Sequence, residues 1–261
     1  MFNLADTAAI RLDRSKIMTQ HDEQLHALES AYTSLALDEA LQALRAHFSG
    51  RIAFSTSLGL EDQVITDAIF RNHLDVDVFT LDTGRNFKET YDTLAETVKH
   101  YGKPIRALYP QTDAIQQYVT VKGINAFYES VEQRKECCYI RKIEPLNRAL
   151  AGAEVWITGV RAAQSDFRAN MKFFEWDEQR GLVKFNPLLN WKTKDLWTYV
   201  KEHQVPYNKL HDQHFPSIGC APCTRAVAVG EDERAGRWWW ENYNQECGLH
   251  DGTVSKIRSA A

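Results

Sequence analysis

Apolar side chains near the start of the chain recur at helical intervals, with Leu25 and Leu28 in one stretch and Leu37, Leu41 and Leu44 in the next. Spacings of three and four residues place such side chains on one helix face, so two helices are predicted between His21 and about His47. From Arg51 the period changes. Arg51–Phe54 is a short, mostly apolar run ending in Ser55-Thr56-Ser57-Leu58-Gly59, and Glu61 to Phe70 is again helical in pattern. Val76–Leu81 predicts a second strand, followed by the turn Asp82-Thr83-Gly84 and a helix from about Lys88 to Tyr101. Ile105–Tyr109 and Val155–Thr158 predict a third and a fourth strand. Strands alternating with helices of about a dozen residues predict an α/β fold, a mostly parallel sheet with helices on both faces. Later, Phe173–Trp176 and Val183–Phe185 pattern as a hairpin around Gly181, and Thr193 is a candidate cap for a helix to about His203. Residues 1–20 have no period and are expected to form a loosely held arm, and the chain beyond His211 is loop-like and dense in Cys, Arg and Trp.

Composition narrows this picture. A chain of 261 residues, 44% hydrophobic and 25% charged, buries enough apolar surface to fold without disulfides. It has no apolar stretch of the roughly 18 residues a membrane span needs, so no membrane partner is expected. Met1 to Gln20 lacks the apolar core of a secretory signal, which predicts a cytoplasmic protein. The net charge of −4 excludes a general polyanion binder, so no nucleic-acid partner is expected and positive charge for an anionic ligand must be gathered in a pocket. Five cysteines in such a chain point to reduced thiols, metal ligands or catalysis. The sequence sets no limit on oligomeric state, and a homo-oligomer is compatible with it.

Four features carry candidate chemistry. The polar loop Ser55-Thr56-Ser57-Leu58-Gly59 lies between a strand and a helix, where N–H groups, hydroxyls and the helix dipole can cradle an anion; it lacks the Lys-Ser/Thr ending of a Walker loop, and a plain capped junction reads equally well. Cys137 and Cys138 are adjacent, and Cys220 and Cys223 form Cys-x-x-Cys. Four thiolates suit an iron–sulfur cluster or zinc, with buried inert thiols as the alternative. The adjacent pair leans towards a cluster, because zinc sites usually separate paired ligands by two to four residues. The odd cysteine, Cys247, sits in Glu246-Cys247-Gly248-Leu249-His250, where a bend and a nearby His suit a nucleophile carried on a tail, although a free cysteine is more often an inert, buried one. Lys142, Arg161, Arg168, Arg234 and Arg237 are candidate anion-binding cations, while Trp238-Trp239-Trp240 reads first as packing for the tail.

Together these residues resemble the sulfonucleotide reductase family, the assimilatory adenylyl-sulfate and phosphoadenylyl-sulfate reductases. The resemblance runs from about Phe48 to His250 in ordered blocks: Ser57-Leu58-Gly59-Leu60-Glu61-Asp62, Leu81-Asp82-Thr83-Gly84-Arg85, and Cys137-Cys138-x-x-Arg141-Lys142-x-x-Pro145-Leu146. It continues through Pro206-Tyr207-Asn208-x-Leu210-His211 and Ser217-Ile218-Gly219-Cys220-x-Pro222-Cys223-Thr224-Arg225. It ends with Gly230-Glu231-Asp232-x-Arg234-x-Gly236-Arg237-Trp238-Trp239-Trp240-Glu241 and Glu246-Cys247-Gly248-Leu249-His250. Two places depart from the family pattern: Ala162 stands where a second Arg is common, and His214-Phe215 replaces the usual Gly-Tyr.

The resemblance implies an adenine-nucleotide alpha hydrolase-like fold related to the ATP pyrophosphatases, in three segments: N-terminal helices at 1–47, a sulfonucleotide-binding domain at 48–228, and a tail at 229–261. Cys137, Cys138, Cys220 and Cys223 would hold one 4Fe–4S cluster, a set that generally marks the adenylyl-sulfate branch. Ser55, Thr56, Ser57 and Gly59 would hold the phosphosulfate, Asp82 and Gly84 would lie against the adenosine, and Lys142, Arg161, Arg168, Arg234, Arg237 and His250 would complete the site. Cys247 would attack the sulfur, and thioredoxin or a similar dithiol would release sulfite, a step of sulfate assimilation and cysteine biosynthesis. The alternatives are a phosphoadenylyl-sulfate or dual-specificity reductase, an ATP-pyrophosphatase-type adenylating enzyme, whose Ser-Gly-Gly-x-Asp loop is absent, and a non-enzymatic iron–sulfur sensor, which leaves Cys247 without a purpose.

Overall fold

The structure is a computed structural model that describes residues 22–241 and Leu249. Its centre is a six-stranded sheet in the order β3-β2-β1-β4-β6-β5, formed by β1 (Arg51–Thr56), β2 (Asp77–Leu81), β3 (Arg106–Leu108), β4 (Ala153–Ile157), β5 (Phe174–Asp177) and β6 (Leu182–Phe185). All neighbours run parallel except β5, which pairs antiparallel with β6. The alternation of side chains along each strand explains the two-sided burial. Ile52, Phe54, Val78, Val155 and Ile157 enter one apolar cluster, while Ala53, Phe79 and Trp156 enter another with Leu146 and Leu150. The predicted parallel sheet with covered faces is what forms.

The first cluster also takes in α1 (22–32) and α2 (Leu37–His47) through Leu28, Tyr32, Leu37, Leu41 and Leu44. The most enclosed helix is α3 (Leu60–Arg71), buried from Leu60 to Phe70. A helix enclosed all round must satisfy its polar side chains internally. Gln63 Nε2 donates to Thr97 Oγ1 and to the Pro206 carbonyl, both at 2.7 Å, and Asp67 accepts from the Tyr101 and Tyr199 hydroxyls at 2.9 and 2.7 Å. These bonds fix α3, and therefore its N-terminus, against α4 (Lys88–Tyr101) and α8 (Thr193–Glu202).

Several elements differ from the sequence expectation. β1 runs two residues further than predicted, so Ser55 and Thr56 belong to the strand and the turn proper is 57–59. Thr193 begins α8 without capping it; the Lys192 N–H is instead accepted by Asp195 Oδ2 at 2.8 Å. The sequence reading missed α5 (Thr112–Lys122), α6 (Val131–Cys138) and α7 (Glu144–Leu150). A π-helical turn, Tyr139–Ile143, joins α6 to α7 directly after Cys137 and Cys138. Such a turn widens the helix locally and is frequent at functional sites.

Candidate active site

The strand order reverses at β1. The chain leaves it for β2 and β3 on one side and returns to β4 on the other, and ligands in open α/β sheets bind at such a point, outside the carboxyl ends of the strands. A cavity of about 190 Å³ opens there, at the ends of β1, β2 and β4 and the start of α3. Ser55, Thr56, Ser57 and Gly59 all line it. Trp156 Nε1 donates to Ser55 Oγ at 2.8 Å, Thr56 Oγ1 accepts the Leu58 N–H at 3.0 Å, and Gly59 caps α3. Leu58 is left-handed (φ 61°), an unfavourable conformation for a side-chain-bearing residue that the surrounding hydrogen bonds hold in place. The Ser57 N–H and hydroxyl both donate to Asp62 Oδ2 at 2.6 Å. Burial, offset by those two bonds, raises the Asp62 carboxyl to about 6.

Positive charge is gathered here, as the acidic overall balance demanded. Lys142, Arg168, Arg234 and Arg237 line the cavity, and the three arginines are buried. Arg237 passes over Gly219, where a Cβ would stand 2.3 Å from Nη2, so only glycine admits the guanidinium in this position. Its charge lies against the Trp238 ring, 4.6 Å from the centroid, and Arg134 covers the same ring at 4.8 Å. Trp238 is thus buried packing between two guanidinium groups, Trp240 packs on Tyr128, and Trp239 is exposed.

Not every predicted residue arrives. Arg161 does not line this cavity. Its Nε donates to Glu61 Oε1 at 2.8 Å and its Nη2 to Glu233 Oε1 at 2.6 Å, a three-charge frame around a buried guanidinium beside the pocket. Asp82 and Gly84 also lie off the lining: Asp82 Oδ1 accepts from the Gly84 N–H and the Tyr91 hydroxyl at 2.8 Å, which shapes the turn, and Thr83 is the residue of that turn that faces the cavity. Cys247 and His250 lie outside the described residues; Leu249, between them, lines the cavity.

The four remaining cysteines surround a second, small cavity lined also by Arg134, Arg141 and Lys142. Lys142, Cys220 and Trp238 line both cavities, so the thiol cluster and the anion pocket share a wall. Burial pushes the Cys137 and Cys223 thiols up, Cys223 to about 12. At Cys220 burial acts in the same sense, but Lys142, the Thr83 hydroxyl (3.3 Å from Sγ), Arg237 and Arg141 outweigh it and hold the thiol below its ordinary value. Several buried N–H donors near these cavities, among them Arg141 Nε, Arg237 Nε and Trp238 Nε1, find no acceptor among the described residues. Among the described residues no three His, Cys, Asp or Glu side chains gather as for a single metal ion, which with sulfur ligands at about 2.3 Å would draw them close together.

A family model described as the phosphoadenosine phosphosulfate reductase domain matches residues 51–226. The chain belongs to this family. The adenosine 5'-phosphosulfate reductase of Allochromatium vinosum is 54% identical over 200 residues, covering 76% of this chain and 78% of that protein. The enzyme of that name from Burkholderia cepacia is 48% identical over 227 residues, covering 85% and 91%. The crystal structure of phosphoadenylyl-sulfate reductase from Candida auris, a phosphate complex, superposes with a TM-score of 0.67 at 26% identity over 78% of this chain and 97% of that one. Membership in the family and its fold accord with the sequence resemblance. No helix of the described residues is long and apolar enough to cross a membrane.

The sequence reading passed over Asp62 as a functional residue, although it stands inside a motif block it quoted, and it picked Asp82 and Gly84 rather than Thr83 from the turn Asp82-Thr83-Gly84; it marked Arg141, with Lys142, as a cation able to tune a cluster. Of the two departures from the family pattern, His214 takes a left-handed conformation (φ 64°), which explains why glycine is usual there, and Phe215 packs its ring on Phe87 at 5.6 Å. Ala162 packs against the main core as the start of a short 3₁₀ turn.

Proposed function

We propose that this chain reduces adenylyl sulfate to sulfite and AMP, with Cys247 as nucleophile and an external dithiol such as thioredoxin as electron donor, in the reducing cytoplasm. The observation that carries the proposal is the shared wall: Lys142 and Cys220 face both the basic cavity and the four-thiol cavity. The names of the relatives place the substrate among adenosine phosphosulfates.

The donor set fits a 4Fe–4S cluster better than one ion. Neighbouring helical residues point about 100° apart, so Cys137 and Cys138 suit a ligand broad enough to be reached from two directions. The donors on Arg141, Arg237 and Trp238 suit acceptors, sulfide or sulfonate, that the described residues do not supply. Cys137, Cys138, Cys220 and Cys223 would hold the cluster, which when bound supplies a fixed electrostatic environment beside the reacting anion.

The chemistry is then one of placement and charge. A sulfonate repels a thiolate, so attack needs cations around its oxygens and an in-line approach. Lys142, Arg168, Arg234 and Arg237 supply the charge, and the start of α3 supplies N–H groups and the positive end of its dipole. A free thiol with a pKa near 8.5 is only a few per cent ionised at neutral pH; these cations and His250 favour the thiolate. Cys247 Sγ bonds to the sulfur as the sulfur–oxygen bond to AMP breaks, leaving an S-sulfocysteine. Leu249 on the cavity wall, two residues along the chain, supports this assignment. One thiolate of the reductant attacks Cys247 Sγ and expels sulfite; its second thiol resolves the mixed disulfide, so both electrons come from the dithiol.

The test is sulfite release by anaerobically purified protein with reduced thioredoxin, given adenylyl sulfate or its 3′-phosphorylated form. Turnover of the unphosphorylated nucleotide is expected. Exclusive use of the phosphorylated one would overturn the substrate assignment, and no turnover with an intact cluster would favour a sensor.

A further inference from the structure

The basic cavity contains two carboxylates, Glu61 and Asp62. Glu61 is matched: Arg161 Nε and Gln164 Nε2 both donate to its Oε1, at 2.8 and 3.0 Å. Asp62 has no ion pair among the described residues, and the charged groups felt there are Glu61 on its own helix and Arg168 from the turn Arg168–Asn170. What it does hold are the Ser57 N–H and hydroxyl. Those are donors of the loop that the family resemblance assigns to the phosphosulfate. The carboxylate is 8% exposed, and its Oδ1 packs in the space that a Cβ on Gly159 would take.

We propose that Asp62 is a protonation switch in the anion site: its carboxylate holds the Ser57 donors, and nucleotide binding neutralises it by uptake of one proton. This rests on the proposed function. The reason for protonation rather than movement is the pair of Ser57 bonds that tie the carboxylate to the wall a second anion must share. Two like charges at short range in a buried site do not both stay ionised. Arg168 is the nearby cation that lowers the cost of the ionised form, and burial opposes it, raising the carboxyl to about 6. The sign follows by linkage. The bound state has the higher pKa, so affinity is greatest below about pH 6 and falls by up to about tenfold per pH unit above it until the bound pKa is passed.

The experiment is calorimetric titration of the cluster-loaded Cys247→Ser chain with adenylyl sulfate, without reductant, in buffers of differing ionisation heat. At pH 7.5 the expected result is uptake of roughly half to one proton per nucleotide, with affinity at least about tenfold weaker at pH 8 than at pH 6. Asp62→Asn, which keeps an oxygen for Ser57, should abolish the uptake, flatten the profile and bind at pH 8 as tightly as the parent does at pH 6. A parent that binds without proton uptake overturns the proposal whatever the variant does. So does an Asp62→Asn chain that keeps the uptake, or one that binds weakly at every pH, the result for a carboxylate that merely braces the loop. Failure of the parent to bind at any pH overturns the nucleotide pocket itself, whereas binding without uptake overturns only the role of Asp62.

Discussion

Adding one methyl group at Gly219 tests whether Arg237 acts from where it stands. An alanine Cβ would meet Arg237 Nη2 at 2.3 Å and Cζ at 2.6 Å. Carbon contacts settle near 3.5 Å, so the guanidinium must move by about 1 Å. It has little freedom to do so: Trp238 lies against one face at 4.6 Å, and Nη1 donates to Ser217 Oγ and the Ile218 carbonyl at 3.3 and 3.4 Å. The backbone at Gly219 is not left-handed, so the whole cost falls on packing. Overpacking of this kind costs about 1–3 kcal/mol, which for a chain of this size lowers the melting temperature by roughly 2–10 °C. The effect on rate should be larger. Misplacing a charge-stabilising donor by about 1 Å costs about 10²-fold, so Gly219→Ala should lose about that factor in kcat/KM for sulfite release while keeping its cluster absorbance. Steady-state kinetics beside thermal unfolding separate the two effects. Wild-type kcat/KM in a chain destabilised as predicted would refute the placement of Arg237 at the reacting anion.

Three further outcomes follow from the same geometry. Cys247→Ser should abolish sulfite release while leaving the visible absorbance unchanged, and retained turnover would remove it as nucleophile. Cys220→Ala should bleach that absorbance, since this buried thiol faces both cavities; an unaltered spectrum would exclude it as a ligand. Arg161→Met leaves Glu61 and Glu233 without their shared cation and should destabilise the chain by about 3–5 kcal/mol, read by urea unfolding; an unchanged midpoint would contradict the buried frame.

The parts of the fold that the sequence made legible are those where one period dominates. β1, β2 and β4 are apolar runs between polar turns, and α4 has the bounds its pattern predicts, Lys88–Tyr101. The stretch 131–150 was not legible, because α6 opens with Val131-Glu132-Gln133-Arg134-Lys135-Glu136, polar almost throughout. Arg134 is buried there by its bond to Glu241 and by the Trp238 ring, partners 107 and 104 residues away. No local periodicity reports such a burial. The site divides in the same way. Cysteine spacing and the Ser-rich turn announce themselves by residue type, whereas Arg161 and Arg168 are alike in sequence and differ only in which carboxylates the fold sets before them. Glu61 and Glu233 take Arg161 out of the cavity and leave Arg168 on its wall.

That division explains how an acidic chain serves an anionic substrate. On the proposed function, the cations of the pocket would face two anions at once. Four cysteine thiolates around a cluster carry more negative charge than the metal core offsets, and the sulfonate adds its own on the other side of Lys142 and Cys220. Bringing like charges together across one wall is unfavourable unless the wall itself is cationic, and it is: Arg141 donates to the Thr83 carbonyl, Thr83 contacts Cys220, and Lys142 and Arg237 lower the Cys220 thiol. Removing Lys142 therefore takes away a cation that both anions use. It should weaken the nucleotide and disturb the cluster's electronic signature together, whereas loss of Arg234, which lines only the nucleotide cavity, should affect the nucleotide alone.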